Sequence, residues 1–81
     1  MRINVRYSNG AQEFMTLKDD IEVLMFVVGG YPHAIPYDDG RVLVYSEHAN
    51  RKHPNIKYKG KQFYGAIALM RKEEYENVIH G

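Results

Sequence analysis

Few residues in this chain could do chemistry, and most of them stand in the wrong company. A serine hydrolase needs its nucleophile raised on a strained turn. The only serines are Ser8, beside a hairpin signal, and Ser46, at a strand end, and neither has a G-x-S-x-G context. Adjacent acids occur as Asp19-Asp20, Asp38-Asp39 and Glu73-Glu74. They fall at helix starts and turns, where carboxylates serve as caps and solvated groups rather than as an acid/base couple. His48 and His53, with His33, supply imidazoles, but Arg51 and Lys52 interrupt the pair and no acid is placed to orient either ring. That argues against a metal site. Gly29-Gly30 follows an apolar run, with no G-x-G-x-x-G or Walker pattern, and so reads as a helix C-cap rather than a phosphate cradle. The sequence therefore points to a non-enzymatic binding domain without catalytic, metal-ligating or cofactor-binding residues.

Binding chemistry concentrates in Arg51–Lys61, RKHPNIKYKGK. This segment holds 5 of the 11 Lys and Arg residues and none of the 10 acids, which leaves six cations against ten acids elsewhere in a chain of net charge +1. Extended backbone would put Lys57, Lys59 and Lys61 on one face as a cationic ridge and Tyr58 on the other. Pro54 restricts the segment, lowering the ordering cost of binding, and tyrosine is enriched at interface cores. The candidate surface is Arg51, Lys52, His53, Lys57, Tyr58, Lys59, Lys61 and Tyr64. Its expected partner is a protein with an acidic surface, steered by the lysines and anchored by the tyrosines. The alternative is a nucleotide or short nucleic acid, with lysines on phosphates and Tyr58 or Tyr64 stacked on a base. Charge favours the protein, because the acidic remainder would repel a long polyanion except at this patch.

The elements that must position this segment follow from punctuation and period. With 81 residues the chain has room for one domain, residues 1–81, and 44% hydrophobic with 26% charged residues is an ordinary globular balance. Cysteine is absent, which excludes disulfides and thiolate sites and fits a reducing compartment. MRINVRY lacks the apolar run of a signal peptide and Val23 to Val28 is too short to span a bilayer, so a cytoplasmic protein without membrane contact is expected.

The fold class expected is a small α+β domain: an N-terminal β-hairpin, one central helix packed on a mainly antiparallel sheet, and a short C-terminal helix. Ile3, Val5 and Tyr7 alternate with polar residues before Asn9-Gly10, predicting a hairpin with a two-residue turn in which Arg6 faces Glu13 and Val5 faces Phe14. Thr16 with Asp19, then Ile21, Leu24, Met25 and Val28 on one face, then Gly29, predict a helix over Leu17–Val28. A helix this apolar needs cover on more than one side, from the sheet and, as one option, from a second subunit in a homodimer. Pro32 and Pro36 assign residues 31–37 to an edge strand or irregular extended segment. Arg41–Glu47 and Phe63–Met70 read as central strands, the second with Ala66 and Ala68 giving a helix close approach. Arg71–Ile79 predicts the last helix. The expected core is Val5, Phe14, Leu24, Val42, Val44, Ile67 and Leu69.

The order VGGY at Val28–Tyr31, DDGRVLVYSE at Asp38–Glu47, Pro54-Asn55 and FYGAIALM resembles an uncharacterised family of small bacteriophage and mobile-element proteins, the domain of unknown function numbered 3846. The resemblance covers residues 17 to 70. In the polar stretch before Pro-Asn, only Glu47 of Ser46-Glu47-His48-Ala49 fits the family pattern. What the resemblance implies is an origin in a phage or mobile element, where small proteins often bind and inhibit a host component.

Overall fold

The N-terminal hairpin forms, but its turn is one residue longer than Asn9-Gly10 alone implies. In the computed structural model, which describes Met1–Gly81, β1 (Arg2–Arg6) pairs antiparallel with β2 (Gln12–Thr16). The Gly10 amide donates to the Tyr7 carbonyl at 3.1 Å and the Tyr7 amide to the Ala11 carbonyl at 2.9 Å. The loop is therefore Ser8-Asn9-Gly10, with Gly10 at φ 89°, the geometry of a type I turn closed by a glycine bulge. The added residue moves the register by one, so that Val5 faces Glu13 and Asn4 faces Phe14. The expected Arg6–Glu13 and Val5–Phe14 pairs do not form. Phe14, expected in the core, is 77% exposed, because a one-residue slip carries a strand side chain to the other face.

The central helix starts later than its first candidate cap. Thr16 ends β2, and the Leu17 amide still donates to the Met1 carbonyl at 2.8 Å. Helix α1 spans Ile21–Val28, with the Asp20 carboxylate accepting from the Glu22 amide at 2.8 Å. Gly29, at φ 88°, closes it by donating to the Met25 carbonyl, as its position predicts. Gly30 is required for space, since a Cβ there would lie 2.5 Å from Ser46 Oγ.

β3 (Pro32–Asp38) holds both prolines and forms one edge of a five-stranded sheet. β4 (Arg41–Ser46) and β7 (Ile67–Arg71) are central, and the order β2-β1-β7-β4-β3 is antiparallel throughout. The run Phe63–Met70 is not one strand. It breaks at Gly65, φ 68°, so that Phe63 belongs to β6 (Lys61–Tyr64), which pairs with β5 (Pro54–Tyr58) in a separate two-stranded ribbon. Helix α2 (Lys72–His80) follows β7 directly.

Strand alternation sorts the core into two layers. Ile3, Val5, Val42, Val44, Ala68 and Met70 face the helices and pack with Leu24, Val28 and Val78. Leu43, Ile67 and Leu69 face the opposite way and pack with Phe63 of the ribbon. The central strands are thus covered on both faces, as their unbroken apolar runs require. Ala68, fully buried under the helices, is where a small residue permits their approach. No helix is long and apolar enough to cross a membrane.

Candidate functional site

The cationic segment folds into the ribbon and the loop that leads to it. Asn50 opens it, its side-chain oxygen accepting from the Lys52 amide at 2.9 Å and its carbonyl from the His53 amide at 3.1 Å. Asn55 then ties the ribbon to the sheet. Its Nδ2 donates to the carbonyls of Arg6 at 2.9 Å and Gly65 at 2.6 Å, and its Oδ1 accepts from the Ile56 amide. Gln62, across the ribbon, donates from Nε2 to the carbonyls of Asn55 and Phe63 at 2.7 and 2.8 Å. These two amides hold backbone groups that irregular chain would otherwise leave unpaired.

The expected lysine ridge does not exist. Lys59 at φ 50° and Gly60 at φ 79° make a two-residue turn of the hairpin type, so Lys57 and Lys61 stand on different strands, with Tyr58 opposite Lys61. Lys61 reaches back to the main sheet, where its Nζ donates to Glu47 Oε1 at 3.1 Å and to the Tyr45 hydroxyl at 3.3 Å. The ammonium holds the Glu47 carboxyl below the usual carboxylate range, and the bond to Glu47 raises Lys61 above the usual lysine value. Tyr58 is not a free anchor either. Its hydroxyl donates to the Tyr37 carbonyl at 2.6 Å and the two rings lie 5.0 Å apart, which makes it a staple between ribbon and sheet.

Arg51, Lys52, Lys57 and Lys59 remain, exposed and without a carboxylate in salt-bridge reach. The Arg51 guanidinium lies 5.2 Å over the Tyr64 ring and the Lys59 ammonium 5.4 Å over Tyr58. His53 is exposed beside them. A cleft of about 390 Å³ between β6 and the loop after β4 brings Arg51, Lys61 and Tyr64 together with Tyr45, Glu47 and Gln62, but not Lys57 or Tyr58. Sequence reasoning missed Glu47 as the partner of Lys61 and both amide clamps; the Pro54-Asn55 pair marked the position of Asn55 without indicating its role. No three or more His, Cys, Asp or Glu side chains gather as a metal site would need. No family model, curated protein or solved structure matches the chain.

Proposed function

We propose that the chain is a non-enzymatic binding domain that docks its basic ribbon on an acidic surface of a host protein in the cytoplasm and modulates it, as a small phage-type or mobile-element protein would. One observation supports this above the others: Arg51, Lys52, Lys57 and Lys59 are exposed cations outside any salt bridge, carried on the ribbon and the loop before it, both held in place by hydrogen bonds within the segment and to the sheet. A preformed cationic platform loses little conformational freedom on binding, and unpaired surface charge chiefly accelerates encounter with an opposite charge. An acidic protein fits better than a nucleic-acid strand, because the Tyr58 ring is engaged with Tyr37 and is not free to stack on a base. The cleft at Arg51, Lys61 and Tyr64 is the feature that favours the second reading, a nucleotide held by the two cations.

The test is affinity capture from host lysate with the wild-type chain and with the Arg51→Glu, Lys52→Glu, Lys57→Glu, Lys59→Glu variant, each with and without nuclease. The reading expects a stoichiometric protein that survives nuclease, is lost with the variant, and binds more weakly as salt rises, since exposed charges are screened over ~10 Å at about 0.1 M ionic strength. Retention of that protein by a folded variant removes the ribbon as the docking surface.

A further inference from the structure

One edge of the five-stranded sheet is guarded and the other is bare. β3 carries Pro32 and Pro36, which deny a pairing strand its donors. β2, at the opposite edge, reads QEFMT, with no proline or lysine to discourage pairing. Ala11 and Leu17 bond inward, to Tyr7 and Met1. Antiparallel alternation therefore points the amides and carbonyls of Gln12, Phe14 and Thr16 outward, away from β1. Apolar side chains flank this edge on both sides of the sheet. On one side Phe14 is 77% exposed; on the other, a groove of about 530 Å³ between β2 and α1 is lined by Met15, Leu17 and Val23, with Phe26, 89% exposed, at its rim.

We propose that β2 pairs antiparallel with β2 of a second copy about a two-fold axis at Phe14, joining the two sheets into one. In this register Phe14 meets Phe14 and Gln12 meets Thr16, and each pair exchanges two backbone hydrogen bonds using only groups that β1 leaves free. An axis at Glu13 is ruled out by the two carboxylates it would set opposite each other. A second copy is the occupant because the edge is its own complement and a protruding Phe26 stands beside a groove, so each phenyl ring can enter the groove of the other copy. The two exposed phenylalanines offer ~300 Å² per copy, or ~600 Å² in the dimer, about half of the ~1,200 Å² a stable interface needs, before the strand and groove are counted. An axis perpendicular to the sheet leaves both basic ribbons on one side, a bivalent platform; that consequence alone rests on the function proposed above.

Salt separates the two readings. Asp20 and Glu22 line the groove, so filling it from a second copy gathers the acids of both copies at one interface and association tightens as salt screens them, whereas partner binding by the ribbon weakens. Sedimentation of the full chain over a dilution series should give twice the 9.4 kDa of the protomer, with Phe26→Asp monomeric and unchanged in circular dichroism. Because the chain has no cysteine, Phe14→Cys should cross-link on mild oxidation while Ser8→Cys, at the hairpin turn, does not. A wild-type chain that stays monomeric throughout overturns the proposal and leaves the groove to a different protein. So does a dimer that persists in Phe26→Asp and cross-links as readily through position 8 as through position 14.

Discussion

The Tyr58 hydroxyl donates to the Tyr37 carbonyl 2.6 Å away, across 21 residues of sequence, and the two rings pack at 5.0 Å. The tyrosine inside the most cationic stretch of the chain therefore holds the ribbon to β3 and is half-buried in the layer around Phe63. Tyr58→Phe should lower stability by about 1 kcal/mol, the value of one hydrogen bond, and Tyr58→Ala by roughly 2–3 kcal/mol through the packing it also removes. Urea denaturation of both variants measures this. Wild-type stability for Tyr58→Ala would mean that the ring is free in solution.

Asn55 makes a stronger prediction because its amide serves two carbonyls at once, those of Arg6 and Gly65. Asn55→Ala leaves both without that donor and should cost roughly 2–3 kcal/mol. Asn55→Asp is worse at neutral pH, since a carboxylate oxygen then faces two carbonyl oxygens. Those oxygens favour the protonated acid and raise its folded-state pKa. The variant should thus regain stability as pH falls through that value, opposite to the usual behaviour of a paired carboxylate. Denaturation midpoints for Asn55→Asp and wild type over the acid range decide it, and parallel curves would refute the contact.

These two residues show where the sequence was legible and where it was not. Local signals were readable: Gly29 closes α1 and the prolines of β3 mark an edge, because each acts on its own backbone. Asn9-Gly10 fits both a two-residue and a three-residue loop, and the choice moved Phe14 from the core to the surface. Lys59-Gly60 lacks the Asn or Asp that would flag a turn with two positive φ values, so the ridge of lysines looked continuous. The clustering of cations was visible in the composition. What each cation touches was not, because Tyr45 and Glu47 lie 16 and 14 residues from Lys61 and meet it only through the crossing of ribbon and sheet.

Leu24 tests the helical layer. It is fully buried on α1 among Val5, Val44 and Met70, so Leu24→Asn should lose about 3 kcal/mol or more, combining lost apolar burial with an amide that finds no partner there. For a domain of this size, each 1 kcal/mol corresponds to roughly 4–8 °C in Tm. A melting temperature within a degree or two of wild type would place α1 off the sheet.

The Lys61–Glu47 pair gives the pH dependence of the ribbon tip. Glu47 is held below the usual carboxylate range by Lys61, so its contribution is present above the unfolded carboxylate value, about 4.3, and lost as pH falls through the lower folded value. Lys61 is raised, chiefly by Glu47 and the Tyr45 hydroxyl, so its contribution is present below the unfolded lysine value, about 10.4, and lost only above it. Both side chains are exposed, which keeps the effect on global stability small. The sensitive readout is local: hydrogen exchange at the Lys59-Gly60 turn should accelerate as pH falls through the lowered folded value of Glu47, after correction for intrinsic exchange. In Glu47→Gln the carboxylate is gone, and corrected protection at the turn should be lower at neutral pH and flat across the same acid interval. Lys61→Met puts an apolar side chain of similar length where the Lys61 ammonium lies over the Tyr45 and Phe63 rings while removing the charge, and should flatten the profile too. An acid transition that persists unchanged in both variants would assign the titration to another group and detach the ribbon tip from Glu47.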